Sequence, residues 1–401
     1  MVLDTIFYSQ SIISSGLETL INSTSAGLPR SPSLSTALDW GQTNFGNHAA
    51  SAASNASVST APPSLIQQDL YFGLTRANGC PISDAEFQIF IDNVITPRFA
   101  AGLTIFDGEG ELHKHSTAGD IKVITLYAQG TSENQAAIDQ IVKDYRQQFE
   151  SNVLQVTNED DLNVGFGVGE DLIDNDPTPE LIQVDLFFGR NIGGVEGVSQ
   201  AQFQTFVDTV ITPRFPAGLT NVDANGQFLS SDGQLIREPS EVVSLILEDT
   251  QANETAIDEI VAEYIKQFQQ ESVLIAVNED ITVAFGADDD LIDNDPVPEQ
   301  IQVDLFFGRN IGGVEGVSEE AFQEFLNHFV DPHFNNFTVL DADGQFLSST
   351  GDLIKERSKE VSFIFEDTQA NEAAIKTVIS EYIKQFQQES VLIVVDEDIN
   401  S

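Results

Sequence analysis

The chain repeats itself, and that constrains its fold more than any other feature. IQVDLFFGRNIGGVEGVS occurs at 182–199 and again, unchanged, at 301–318. EYIKQFQQESVLI occurs at 263–275 and at 381–393, and a more diverged copy begins at IQQDLYFG, residues 66–73. Matching aspartates stand at Asp69, Asp185 and Asp304, which puts the copies 116 and 119 residues apart. That period is too long for a solenoid repeat, so each copy is expected to bury its own core as a domain. The second and third copies are much closer to each other than to the first, as a recent duplication would leave them.

The second copy reads most clearly. Ile182, Val184, Leu186 and Phe188 alternate with Gln183, Asp185 and Phe187, the period of a strand. NIGGVEG reads as a loop, and Ser199 caps a helix with Gln202 placed for a capping box. Phe203, Phe206, Val207, Val210 and Ile211 follow at helical spacing until Pro213. GLTNVDANGQFL predicts a hairpin turning at Asp223–Gly226, SSDGQLI a second turn, and EVVSLILED a buried strand. A second helix puts Ile257, Ile260, Val261, Tyr264 and Phe268 on one face, and ESVLIAV closes the unit. The order βαββαβ predicts an α+β protein of three tandem ferredoxin-like domains, each an antiparallel sheet with two helices on one face. Asp185 and Phe187 then point to the other face, where an aromatic side chain calls for a neighbouring sheet or a ligand as cover.

The expected boundaries are 65–157, 181–278 and 300–401 for the repeats, with acidic linkers at 158–180 and 279–299. Each linker ends in Pro-x-Pro-Glu, and apolar stretches such as ITVAFG would add an edge strand to the preceding domain. Residues 1–64 predict a short amphipathic helix, with Ile6, Ile13, Leu17, Leu20 and Ile21 on one face, then a Ser/Ala-rich disordered linker.

Charge and cysteine content exclude several functions. With 64 acidic and 17 basic residues the net charge is −47. Nucleic-acid binding needs a basic footprint, and an anionic membrane would repel such a surface. Cys80 is alone, so no internal disulfide or thiolate zinc cage forms. Asp4 and Glu18 interrupt the N-terminal apolar residues, no Lys or Arg precedes Arg30, and no apolar run is long enough to span a bilayer. The expectation is therefore a cytoplasmic or non-classically exported protein.

DLYFGLTR (69–76), DLFFGR (185–190), VITPRFAAGLT (94–104) and VITPRFPAGLT (210–220) resemble the bacterial domain-of-unknown-function family 3574. The resemblance covers roughly 69–156, 185–277 and 304–395 and implies a domain identity and a bacterial origin. It supplies no activity.

Two sets of residues are candidate sites. Arg190, Arg214, Glu238 and Ser240, with Phe187 on the open face, would form a corner that grips an anion bidentately. In a structural reading, which the residues favour, Arg214 and Glu238 form an ion pair locking the corner. The third copy has Arg309, His333 and Glu356, and the first has Arg98 but Leu74 in place of Arg190. This uneven retention argues against an essential catalytic set. The second set is Asp171, Asp174 and Asp176, recurring as Asp290, Asp293 and Asp295 with Asn175 and Asn294. These oxygen ligands suit calcium, although the spacing is not that of an EF-hand and a solvated acidic spacer explains them more simply. NIGGVEG lacks a phosphate-loop pattern, His113 with His115 has no evident third metal ligand, and His328 and His333, five apart, are poorly spaced for two ligands on one helix face. The favoured reading is a non-catalytic binding or scaffold module whose repeats pack through their sheet faces, with no enzyme activity expected. The alternative is a small-molecule-binding protein or enzyme that uses the open face and the arginine corner.

Overall fold

The computed structural model describes residues 64–401 except 113–118, 159–161, 170–171, 174–178, 231–232, 286–297, 335, 349, 398 and 401. The expected N-terminal helix and linker, and the calcium candidates Asp171, Asp174, Asp176, Asp290, Asp293 and Asp295, lie outside the described residues.

The first copy comprises β1 (Leu65–Gly73), α1 (Asp84–Phe90), β2 (Gly102–Glu111), β3 (Gly119–Gln129), α2 (Ser132–Phe149) and β4 (Val153–Asn158). After a linker strand, β5 (Leu162–Phe166), the second copy comprises β6 (Leu181–Gly189), a small hairpin of β7 (Asn191–Ile192) and β8 (Val195–Glu196), α3 (Gln200–Phe206), β9 (Gly218–Leu229), β10 (Leu235–Glu248), α4 (Gln251–Phe268) and β11 (Leu274–Asn278). A second linker strand, β12 (Thr282–Phe285), precedes the third copy: β13 (Gln300–Gly308), the hairpin β14 (Asn310–Ile311) and β15 (Val314–Glu315), α5 (Glu319–Phe325), β16 (Phe337–Leu347), β17 (Leu353–Glu366), α6 (Gln369–Phe386) and β18 (Leu392–Asp396). A last strand, β19 (Ile399–Asn400), follows. The protein is α+β, built from three repeats on one large antiparallel sheet.

Local chemistry fixes the helices. Ser83 with Glu86, and Ser199 with Gln202, close capping boxes on α1 and α3. A five-residue π turn continues each of the short helices and ends two residues before Pro97, Pro213 or Pro332. The long helices start at Thr131, Thr250 and Thr368, whose side chains accept an N–H of the first turn. Their apolar faces cover the sheet. In the second copy Phe188, Phe203, Phe206, Tyr264 and Phe268 pack ring against ring, and each such side chain contributes roughly 2–3 kcal/mol by leaving water. The Tyr264 hydroxyl is satisfied by donating to Gly189 O at 2.9 Å, as Tyr145 donates to Gly73 O and Tyr382 to Gly308 O.

Within the copies the strands run in the order β4-β1-β3-β2, β11-β6-β10-β9 and β18-β13-β17-β16. The three sheets are not separate, as independent domains would require. They join through β2, β9 and β16 into one sheet of 15 strands. The first half of each of these strands pairs with the second half of another: Gly102 faces Phe228, Gly218 faces Phe346 and Phe337 faces Glu111. The relation is cyclic, so the copies surround a pseudo-threefold axis. Phe106, Val222 and Leu340, equivalent by register, meet there in one apolar cluster. At Gly110 a Cβ would overlap the Phe337 carbonyl, so that close approach requires glycine.

Three expectations are corrected. GLTNVDANGQFL contains no turn: β9 runs through it, because Asp223–Gly226 pairs with β10 on one side and Asn225 and Gly226 with β2 on the other. The hairpin instead joins β9 to β10, with Ser230 receiving Gln234 N and giving its own N–H to Gln234 O. NIGGVEG is a hairpin rather than a plain loop, turned by Gly193 and Gly194 at φ of 62° and 83°. The linker strands serve the following copy, not the preceding one. β5 pairs with β11 and β12 with β18, and β19 returns to β4 of the first copy. Every outer strand is thereby covered by a segment lying just outside its own copy or at the chain's end.

Candidate functional site

The arginine corner does not assemble as expected. Arg214 bonds Glu259 Oε2 at 3.1 and 3.2 Å and Val210 O at 2.8 Å, because the residue after Pro213 turns back along its own helix toward α4. Its partner is not Glu238. Glu238 instead accepts Asn191 N at 2.7 Å, and the Ser240 hydroxyl lies 3.4 Å from Glu238 O. Arg190 is nearly buried and bonds Val198 O, Glu196 and Glu241 at 2.9, 2.9 and 3.3 Å. Arg309 likewise bonds Val317 O and Glu319, while Glu356 accepts Asn310 N. Arg98 bonds Val94 O and Asp144, and His333 is exposed, with its ring beside Phe334. These arginines are held by the chain's own carboxylates and carbonyls.

Sequence reasoning passed over Glu241, which is fully buried. Burial, with Asp223 adding, pushes its carboxyl up to about 8 against the Asn221 amide and Arg190. Register places Lys122 and Lys359 at its position in the other copies, opposite Asp107 and Asp341.

The three copies converge on a different place. Their first strands turn Gln67 and Asp69, Gln183 and Asp185, and Gln302 and Asp304 toward the axis, away from the helices. All six side chains line one cavity of about 50 Å³. Each aspartate accepts its own glutamine's amide, at 2.8 Å for Asp69, 3.1 Å for Asp185 and 3.0 Å for Asp304. Each also accepts a hydroxyl from the cross-strand neighbour: Thr125 at 2.5 Å, Ser244 and Ser362. At one end Asn158, Asn278 and Asp396 occupy equivalent positions opposite the glutamines. Both amides donate to Asp396 Oδ2, at 2.6 and 3.0 Å, tying the copies together. Phe187, the aromatic expected to need cover, packs against Tyr127 of the first copy.

The electrostatics are one-sided. Burial raises the carboxyls of Asp69 and Asp185, and it lifts Asp304 to about 6, with Asp69 and Asp185 adding to the rise and Ser362 and Gln302 opposing it. Glu360 stands where the other copies have Val123 and Val242, and it too is pushed well up by burial and by Asp304 and Asp185. Among the described residues no Lys, Arg or His lines the cavity. Asn158 is 8% exposed, and its Oδ1 is buried with no hydrogen-bond partner among the described residues. Among the described residues no group of three or more His, Cys, Asp and Glu side chains is arranged to hold a metal ion. No helix is long and apolar enough to cross a membrane. The signal in the sequence was the inward Gln-x-Asp pattern, repeated once per copy.

No curated protein and no solved structure matches the chain. The family model described as a protein of unknown function, DUF3574, matches it three times, at residues 67–164, 183–285 and 302–400. The chain thus belongs to the DUF3574 family and carries that domain in three tandem copies.

Proposed function

We propose that this protein is a binding module in which three fused ferredoxin-like copies enclose one small-ligand site on their common axis. The strand order of each copy supports the ferredoxin-like reading. The observation that carries the functional reading is the convergence of three Gln-x-Asp pairs, one per copy, on a single cavity. Burying carboxyls costs stability, and a protein that only needed a core would fill this space with apolar side chains. The chain does so around Phe106, Val222 and Leu340. At about 50 Å³ the cavity holds a few atoms, far below the roughly 300–1,000 Å³ of a drug-sized pocket. The ligand is therefore ion-sized.

The test is the triple variant Asp69→Asn, Asp185→Asn, Asp304→Asn. A carboxyl raised in the folded state adds stability that is fully present below its unfolded value of about 4, and that stability is lost as pH climbs through the folded value. For Asp304 that folded value is about 6. Wild-type unfolding free energy should accordingly fall between pH 4 and 7, and the variant's should fall less. The variant should match or exceed wild type at pH 7 while losing stabilisation by small solutes. A variant that is less stable at every pH and responds to small solutes as wild type does would make the aspartates structural and end the reading.

A further inference from the structure

We infer that the axial cavity takes a small ammonium cation, ammonium itself or a primary amine of similar size. This rests on the reading of the cavity as a binding site. Three features of the lining choose the class. The first is sign: Asp69, Asp185, Asp304 and Asp396 line the cavity, and among the described residues no basic side chain does. The second is hydrogen-bond type. The lining amide nitrogens already point at these carboxylates, and Asn158 Oδ1 is a buried acceptor with no donor among the described residues. An unsatisfied buried acceptor is costly, and a guest that brings N–H groups removes that cost. An anion or a donor-free solute would not. The third is spacing. Calcium and magnesium need several oxygens at roughly 2.0–2.6 Å from one point, and among the described residues no group of three or more Asp, Glu, His or Cys side chains is arranged to hold a metal ion. An ammonium ion takes its acceptors at hydrogen-bond distance, roughly 2.7–3.0 Å, so it does not need its acceptors gathered at metal-ligand distance.

The charge balance agrees. The buried carboxyls retain protons more readily than solvent-exposed ones, so binding a cation draws protons off them and affinity should strengthen as pH rises from 5 to 7.

The full chain, in an amine-free buffer at pH 7, is scanned by calorimetry with ammonium, methylammonium, tetramethylammonium, sodium and calcium chlorides at matched ionic strength. Ammonium should raise the melting temperature saturably above sodium, by about 2–4 °C at roughly ten times its Kd. Tetramethylammonium, bulky and without an N–H, should match sodium. The ammonium increment should vanish in the triple asparagine variant and shrink at least about threefold at pH 5. If the triple variant does not fold, Asp185→Asn alone carries the comparison, with an expected loss of most of the increment. A saturable response to calcium, or to formate or urea added as anionic and neutral probes, in place of ammonium would overturn the ammonium assignment and leave the binding reading standing. An ammonium increment that survives in the variants would place the ion elsewhere and overturn the assignment. No response to any solute would overturn both.

Discussion

Arg190 and Arg214 carry the same charge in opposite settings. Arg190 is 9% exposed and bonded to a carbonyl and two carboxyl groups, one of them the fully buried Glu241. The Arg214 side chain is 32% exposed and meets Glu259, which is 59% exposed. Surface ion pairs contribute roughly 0–1 kcal/mol, whereas removing a buried, charge-assisted donor costs about 2–4 kcal/mol. Urea unfolding at pH 7 should therefore show Arg190→Ala lowering the midpoint strongly and Arg214→Ala barely moving it. Equal losses, or a larger loss at Arg214, would contradict this placement of the two side chains. The sequence grouped these arginines because both lie at ends of elements near one corner, and it could not tell which acid each would meet. Glu259 lies 45 residues from Arg214 on α4, and only the packing of α4 on the sheet brings it near. Asp185 was legible from strand period alone as lying on the sheet face away from the helices. That its partners on the axis are Asp69 and Asp304 depends on how copies meet, and no periodicity within one copy encodes that.

Elements whose causes are local were legible: the capping box at Ser199, the helix stop before Pro213 and the alternation along β6 all stand as read. Elements whose causes are distant were not. Asp223–Gly226 has turn composition, yet pairing on both sides holds it extended. The short stretch in 282–285 gives no sign of whether its partner lies before or after it, and it goes to β18. The least legible element is β19, two residues that cover the open edge of β4 and return the chain's end to its first copy. Ile399 is 7% exposed and packs with Tyr71, Val123, Val156 and the third copy's Ile364. Ile399→Ala should cost about 2 kcal/mol or more. Its signature should be local: hydrogen exchange should accelerate at Thr157 and Asn158, while β11 and β18, still covered by β5 and β12, keep their protection. Unchanged exchange in β4 would show that β19 does not hold this edge.

A ring of three copies has three seams, and they are not equally good. At the seam between the first and second copies Thr96 bonds Gln227, and at the seam between the second and third Thr212 bonds Gln345 at 2.9 Å. Ion pairs reinforce both, Arg237 with Asp92 and Lys355 with Asp208. The register puts Asp331 and Glu111 at the equivalent places of the third seam, where Asp331 Oδ1 is buried without a partner among the described residues and burial raises its carboxyl. In a chain with 64 acids and 17 bases, that seam has two acidic residues where the other two have Thr and Gln. The second copy, by contrast, holds every good half at once: Thr212 and Asp208 for one neighbour, Gln227 and Arg237 for the other. Residues 162–278 also include β5, so the outer edge at β11 stays covered. What remains open is β9, whose first half pairs in the ring with the second half of a neighbour in a shared register. A head-to-tail contact that turns by one third closes after three copies. The fragment 162–278 should therefore form a homotrimer with three Thr–Gln seams instead of two, and sedimentation equilibrium at about 0.15 M salt, where the Debye length is near 8 Å, should return the mass of three chains. Thr212→Asp with Gln227→Glu copies the acid seam and should dissociate that trimer at pH 7 while sparing it near pH 4, where carboxyls protonate. A fragment that remains monomeric at high concentration, or a trimer indifferent to the two acids, would show that the ring depends on its covalent links and not on the pairing of its central strands.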